Sequence, residues 1–248
     1  MRLPVWTWFV LGLSAISQAQ LRPETDLQSN CFNFPEQSFD SSNCIKCKHG
    51  SSPHFMLDVG DQAVDFTLHD LDGQRWNLAE ALRDGEKPVV LIWGMFSCPA
   101  YEGMGTDPPF DKASYWHERL LVEKFQDRAT FVHLYGAEPH PLIPDKNFDS
   151  GSLLPNFWST MRQPLTYDER ADMARRVLSR THPSQVLLLD SFPGNPHSDL
   201  IQPVWCTYGM GARMATVVGV DGRIVYQEEW LQTDHLAMAI DKYLGGDK

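Results

Sequence analysis

A single cysteine stands just after an apolar run in the middle of the chain. The segment PVVLIWGMFSCPAY contains the run Val89–Trp93, then Gly94, and four residues later Cys98 and Pro99. A short continuous apolar run is typical of a strand buried on both faces, and sites gather at the carboxyl ends of such strands. Backbone N–H groups at that edge favour a thiolate, and Pro99 fixes the backbone beside the sulfur. We therefore predict that Cys98 is an exposed, reactive thiolate; the alternative is a small, inert buried cysteine.

The other four of the five cysteines are candidates for disulfides. Cys31, Cys44 and Cys47 lie in a polar lead segment, and Cys206 precedes the last predicted hairpin. The Cys44-x-x-Cys47 spacing suits a zinc knuckle or a redox pair, but in a secreted chain we favour structural disulfides among Cys31, Cys44 and Cys47, and we predict no metal. Cys206 is either a resolving thiol for Cys98 or a structural partner of one of these three.

A secretory context is predicted from the first residues, MRLPVWTWFVLGLSAISQAQ. They combine a positive charge, a short apolar run and small residues spaced as in a cleavage site, which is typical of a signal peptide. We divide the chain into a signal peptide at 1–19, a disulfide-tied lead segment at 20–58 and one domain at 59–248. The protein is expected to be secreted or to reside in an endomembrane lumen, with an uncleaved membrane anchor as the alternative. A net charge of −11 disfavours binding to nucleic acid.

The elements that position Cys98 follow an alternating order of strands and helices. Asp72-Gly73 and Asp221-Gly222 each predict a hairpin, and buried strands are predicted at 88–93, 129–135 and 184–190. Helices are predicted at 110–127, at 166–180 with Thr166 and Glu169 in capping-box spacing, and at 233–244. On the first of these helices the expected inward stripe is Ala113, Trp116, Leu120, Leu121 and Phe125. This order predicts an α/β thioredoxin-like fold: a mixed central sheet with helices on both faces and an N-terminal hairpin extension.

Several of these segments resemble the iodothyronine deiodinases and their deiodinase-like relatives. DFTLHDLDGQRWNL and PVVLIWGMFSCPAY resemble the start of the domain and the active-site loop of that family, which reads roughly Gly-Ser-x-Thr-Sec-Pro-Pro-Phe. On this pattern Ser97 matches the threonine, Cys98 the selenocysteine, Pro99 the first proline and Tyr101 the aromatic residue. Likewise, FVHLYGAEPHP resembles a strand ending in Glu-Ala-His-Pro, and ARMATVVGVDGRIVYQ resembles the terminal hairpin. The resemblance extends from about residue 65 to residue 244.

The resemblance implies a site built around Cys98. It assigns the attack on substrate to Cys98, preceded by Ser97, and places Glu138 and His140 at the same edge of the sheet. His140 would donate a proton and Glu138 would orient it. Phe157 and Trp158, in the long segment 139–165, and Tyr101 are expected to line a pocket for an aromatic substrate.

The implied function is a cysteine-dependent oxidoreductase that removes iodine from iodinated tyrosine-like compounds or reduces a peroxide. It would need no cofactor beyond a thiol reductant as co-substrate, and it is compatible with a homodimer. Cysteine stands where the family has selenocysteine, and Gln163 and Pro164 stand where the hormone-acting enzymes carry a further histidine. The missing histidine weakens the case for thyroid hormone itself as substrate. The missing selenocysteine, together with the absence of a proline where thioredoxin-like proteins carry their cis-proline, supports an alternative function, a secreted non-catalytic binding or scaffold domain.

Overall fold

Seven strands form one mixed sheet in the order β2-β1-β5-β4-β3-β6-β7. The structure, a computed structural model, describes residues 19–31, 56–103, 112–138, 163–209 and 213–245. The strands are β1 (Thr67–Asp70), β2 (Arg75–Asn77), β3 (Val89–Trp93), β4 (Thr130–Tyr135), β5 (Val186–Leu189), β6 (Ala215–Val218) and β7 (Ile224–Glu228). The helices are α1 (Leu78–Gly85), α2 (Tyr115–Phe125), α3 (Tyr167–Leu178), α4 (Pro203–Tyr208) and α5 (Thr233–Gly245).

The directions of the strands are those of a thioredoxin-like fold. β3, β4 and β5 are parallel, β6 runs antiparallel to β3, and β7 runs antiparallel to β6 at the edge of the sheet. The hairpin of β1 and β2 extends the sheet beyond β5, to which β1 pairs antiparallel. The predicted fold class and both Asp-Gly hairpins are therefore confirmed. The backbone of Gly73 and Gly222 has φ of +75° and +83°, the left-handed conformation that glycine adopts at low cost.

β3 lies in the centre of the sheet and is buried on both faces, as its apolar run predicts. Val89, Leu91 and Trp93 pack in a core with residues of α1, α3 and α4. Val90 and Ile92 pack in a second core with residues of α2 and α5. Because the strand alternates between these two cores, its carboxyl end, and the loop that follows, are held from both sides.

The predicted buried stripe of α2 is confirmed at Ala113, Leu121 and Phe125 and wrong at Trp116 and Leu120. Trp116 and Leu120 are 61% and 64% exposed, whereas Leu121, Val122 and Phe125 are buried together with the carboxylate of Glu118. The helix begins at Tyr115, and it turns Glu118 inward, where Arg213 and His133 neutralise it. A prediction that counts only apolar side chains does not include a charged residue such as Glu118 in the buried stripe, so it assigns Trp116 and Leu120 to the buried face instead.

α3 begins as its capping signal predicts, since the Thr166 side chain accepts the Glu169 N–H. Its buried residues are Tyr167, Arg170, Ala174 and Val177, whereas Leu178 is half exposed. α1 and α4 were not predicted, because the first is short and the second is a single buried turn beginning at proline.

The N-terminal segment 19–31 is tied to the domain by backbone pairing and by a disulfide. Arg22 bridges Val64, the Asn30 N–H donates to Ile201 O at 2.9 Å, and Cys31 forms a disulfide with Cys206 in α4. Cys31 therefore pairs with Cys206, not with another cysteine of the lead segment as we favoured. Cys44, Cys47 and nearly all of the predicted signal peptide lie outside the described residues. Within the described ranges, no helix combines the length and the apolar composition needed to cross a bilayer.

Loss of this disulfide is expected to destabilise the fold. Cys31 and Cys206 are 175 residues apart, so the bond restricts a large part of the unfolded chain, and Cys31→Ser should lower the free energy of unfolding by about 2–4 kcal/mol. Urea denaturation of both proteins, monitored by tryptophan fluorescence, measures the difference. In excess dithiothreitol the difference should vanish, because the wild type then lacks the bond as well. Equal stability of the two proteins under oxidising conditions would contradict the structural role.

Candidate active site

The loop after β3 folds into a tight turn that brings backbone N–H groups to the sulfur of Cys98. The Cys98 N–H donates to Met95 O at 3.1 Å, and the Glu102 N–H donates to Cys98 O at 3.1 Å. The backbone N–H groups of Tyr101 and Ala100 lower the pKa of the Cys98 thiol by hydrogen bonding. A single turn beginning at the cysteine thus supplies two donors that stabilise negative charge on sulfur.

Burial opposes that stabilisation. Cys98 is a free cysteine and is only 1% exposed. Burial raises the pKa of the Cys98 thiol to about 11, although the N–H groups and the positive charge of Arg213 act in the opposite direction. The prediction of an exposed thiolate is therefore wrong for this conformation: at neutral pH the closed protein holds Cys98 as a neutral thiol, because removing water from sulfur costs more than the donors return.

Glu138 holds the loop from the end of the neighbouring strand. Its carboxylate accepts the Phe96 N–H at 3.2 Å and the Ser97 N–H at 2.6 Å, and it also accepts the hydroxyl of Tyr135 in a short hydrogen bond. Burial raises the pKa of Glu138, while the hydrogen bonds from Ser97 and Tyr135 and the backbone donors oppose the rise. The side chain that we expected to orient a histidine thus fixes the two residues that precede Cys98.

The backbone of Glu138 is held in turn by Gln163. The Glu138 N–H donates to Gln163 Oε1 at 2.9 Å, and Gln163 Nε2 donates to Glu138 O at 3.0 Å. An amide side chain pairs with a peptide unit in this way because it offers one acceptor and one donor side by side. Gln163 thus fixes the backbone at Glu138, whose carboxylate holds the loop before Cys98.

A second buried network holds the loop at Gly94. His133 Nε2 lies 2.8 Å from Gly94 O, and His133 Nδ1 lies 3.0 Å from Glu118 Oε1. Arg213 Nη1 lies 2.6 Å from Glu118 Oε2 and donates to Trp93 O at 3.0 Å. Burial alone raises the pKa of Glu118, but Arg213 and His133, with further hydrogen bonds, lower it to about 2. Both ring nitrogens of His133 therefore face oxygen acceptors, so the ring is held between the loop and α2.

Gly94 is required by this packing. A Cβ atom added there would lie 2.5 Å from His133 Cε1 and 2.8 Å from Tyr101 Cε2. Both rings are buried, and Tyr101 is fully enclosed. Tyr101 therefore packs in the core beneath the loop, and the expectation that it lines an open pocket is wrong for this conformation.

The structure thus brings four of the predicted residues together: Ser97, Cys98, Tyr101 and Glu138. His140, Phe157 and Trp158 lie outside the described residues. Cys206 is bonded to Cys31, so it offers no thiol to Cys98 while that bond is intact. Within the part of the chain that the structure describes, no three His, Cys, Asp or Glu side chains converge as a metal site would require.

Sequence reasoning missed the network of Glu118, His133 and Arg213. Each residue carried a signal, since His133 interrupts an apolar strand, Arg213 precedes the apolar strand β6, and Glu118 lies between apolar helix positions. A charged residue among apolar ones is buried only when it is paired, so three such residues indicate a shared network.

Comparison with known proteins gives neither a family nor a curated relative: no protein-family model matches the chain, and no curated protein matches it significantly. Solved structures do resemble it. A thiol:disulfide interchange protein from Bacteroides sp. has 17% sequence identity and a TM-score of 0.45, over 78% of this chain and 95% of that one. A thioredoxin-like protein from Aeropyrum pernix has 14% identity and a TM-score of 0.44, over 72% and 89%. Peroxidoxin BcpB from Mycobacterium tuberculosis has 16% identity and a TM-score of 0.41, over 77% and 99%.

Gly94→Ala is expected to destabilise the loop that carries Cys98. The added methyl group meets two buried rings, and such overpacking costs about 1–3 kcal/mol. Urea denaturation provides the measurement. Gly245→Ala is the matched control, since a Cβ there meets nothing within 4 Å. If both variants are as stable as the wild type, the close packing at Gly94 is not as described.

The reaction of Cys98 with iodoacetamide is expected to depend on pH as a buried thiol does. Because burial raises the pKa of the Cys98 thiol to about 11, the labelling rate should be low at pH 7 and should increase with pH, with a midpoint near 11. Mass spectrometry of the Cys98 peptide separates this reaction from that of the other cysteines. In urea the same peptide should titrate near the ordinary value of about 8.5. A midpoint below 8 in the folded protein would contradict the burial of the thiol.

Proposed function

We propose that this chain is a thiol oxidoreductase in which Cys98 attacks an electrophilic heteroatom of a small substrate. The observation that carries the proposal is the turn at the end of β3, which begins at the free cysteine Cys98 and places the backbone N–H groups of Ala100 and Tyr101 where they lower the pKa of its thiol. Such donors stabilise a thiolate once it forms. A structural cysteine has no need of them, because a neutral thiol is only a weak acceptor.

Within this class we propose reductive deiodination of an iodinated tyrosine-like compound, with peroxide reduction as the competing reaction. In deiodination the thiolate takes iodine from the ring and a proton replaces it, giving a sulfenyl iodide on Cys98. Two molecules of an external thiol then return Cys98 to the thiol, with iodide and a disulfide as products. With a peroxide, the thiolate takes one oxygen to form a sulfenic acid, and two thiols reduce it with release of water.

The external thiol is part of the proposal because Cys206 is bonded to Cys31. We assign to His140 the proton that replaces iodine, or that the departing peroxide oxygen receives. Glu138 is a positioning residue, since its carboxylate binds the N–H groups of Phe96 and Ser97. Turnover also requires a conformation in which Cys98 is open to substrate, because the sulfur is enclosed here. We further propose that the protein works in a secreted or lumenal compartment, where the Cys31–Cys206 bond persists.

A second candidate function is favoured by one observation. Cys98 is 1% exposed and has a pKa of about 11, which is what an inert structural cysteine would show. In that case the chain is a secreted binding or scaffold domain that keeps the thioredoxin-like fold without thiol chemistry.

One assay separates these functions. The protein is incubated with dithiothreitol and either an iodothyronine or hydrogen peroxide, and iodide release and peroxide loss are measured. Cys98→Ser should abolish turnover, because serine hydroxyl is scarcely ionised, and His140→Ala should lower it by about 10²–10⁴-fold. Wild-type activity no greater than that of Cys98→Ser on both substrates would support the scaffold function instead.

A further inference from the structure

Phe96 and Pro99 are the residues of the segment 94–99 that reach the surface. Gly94, Met95, Ser97 and Cys98 are buried, whereas Phe96 and Pro99 are partly exposed. The backbone N–H of Phe96 is fixed by Glu138, so the position of the ring is coupled to the geometry of the site. The surroundings of Phe96 are therefore a surface that lies two residues from the thiol in sequence.

Two arginines from the end of α3 lie over the ring of Phe96. Arg180 Cζ is 4.4 Å and Arg176 Cζ is 5.8 Å from the ring centroid, and Arg180 also lies 5.7 Å from the ring of Tyr115. Aromatic faces hold guanidinium groups in place without neutralising their charge. Arg176 is exposed and the Arg180 side chain is 22% exposed, so a ligand in solution can reach both guanidinium groups. In a chain of net charge −11, this is a local concentration of positive charge.

A carboxylate of the protein already occupies one of these arginines. Glu102 Oε1 lies 2.9 Å from Arg180 Nη1, and Glu102 follows Cys98 by one turn. Burial raises the pKa of Glu102 to about 7, while Arg180 opposes the rise and Glu138 adds to it. Near neutral pH the carboxyl group is therefore about half protonated, and it neutralises Arg180 only in part.

We infer that Arg176 and Arg180, seated on Phe96, form a binding site for the carboxylate of a small substrate that reacts at Cys98. A guanidinium can bind a planar carboxylate through two parallel hydrogen bonds. The Glu102 carboxylate approaches Arg180 Nη1 to 2.9 Å, but neither of these two atoms has a hydrogen-bond partner among the described residues. The substrate carboxylate displaces Glu102, whose own hold is weakened by burial. That the bound molecule is a substrate of Cys98 rests on the proposed function. The inference adds that this substrate carries a negative charge.

The test compares two probes that differ only in charge. Binding of 4-hydroxyphenylacetate and of its neutral amide, 4-hydroxyphenylacetamide, is measured by calorimetry on the Cys98→Ser protein, in which no thiol reaction is available. The acid should bind about tenfold more tightly than the amide, the usual worth of a charge-assisted pair. Arg176→Gln with Arg180→Gln should remove that preference, and Arg176→Gln alone, an exposed position, should reduce it severalfold.

Two further variants sharpen the result. Arg175→Gln is the matched control, because Arg175 is on the same helix and pairs with Asp172, and it should keep the full preference for the acid. Glu102→Gln removes the internal competitor and should bind the acid severalfold more tightly than its parent. Equal affinity for acid and amide, no binding of either probe, or an equal loss in Arg175→Gln would overturn the inference. Because Cys98 is absent from this experiment, its outcome is separate from that of the activity assay.

Discussion

The geometry around Cys98 depends on the hydrogen bonds that the buried carboxylate of Glu138 accepts. This carboxylate leaves water completely, and it is compensated by the N–H groups of Phe96 and Ser97 and by the hydroxyl of Tyr135. A buried carboxylate without such donors would cost several kcal/mol, so the loop and the carboxylate require each other. The loop conformation is therefore set by a buried acidic side chain after the end of β4 and not by preferences of the loop residues alone.

Glu118 plays the corresponding role on the opposite side of β3. It gathers His133 and Arg213, and these two side chains in turn bind the carbonyl groups of Gly94 and Trp93. The carbonyl groups of Trp93 and Gly94 thus accept hydrogen bonds from one network, while the N–H groups of Phe96 and Ser97 donate to Glu138. The turn at Cys98 follows these backbone groups in sequence, and the N–H groups of Ala100 and Tyr101 within the turn are used by neither network. These two N–H groups lower the pKa of the Cys98 thiol.

The cysteines divide their roles by what surrounds them. Cys31 and Cys206 close a disulfide that fastens the N-terminal segment to α4, and α4 is also held by Asp190, which accepts the N–H groups of Val204 and Trp205. Trp205 packs so closely on Gly136 that a Cβ there would meet the indole at 2.1 Å. Gly136 is two residues from Glu138. The disulfide is thus connected by packing to the strand end that positions the Cys98 loop, without contributing a thiol to it.

Sequence by itself determined the features that depend on near neighbours along the chain. The buried strand before Cys98, the two Asp-Gly hairpins, the cap at Thr166 and the mixed sheet all follow from periodicity and backbone preferences over a few residues. The resemblance to the deiodinases, and not these local signals, singled out Glu138 at the edge of the sheet that carries Cys98.

Tertiary structure alone decided how much water reaches the sulfur, which cysteine pairs with Cys31, and which face of α2 is buried. Each depends on segments far apart in sequence: Arg213 and Glu118 are 95 positions apart by their numbers, and Cys31 and Cys206 are separated by 175. The pKa of a thiol is set by the balance of burial against nearby donors and charges, and that balance exists only once these segments have met. The sequence therefore indicates where thiol chemistry belongs, and the folded chain determines whether the thiol is ionised.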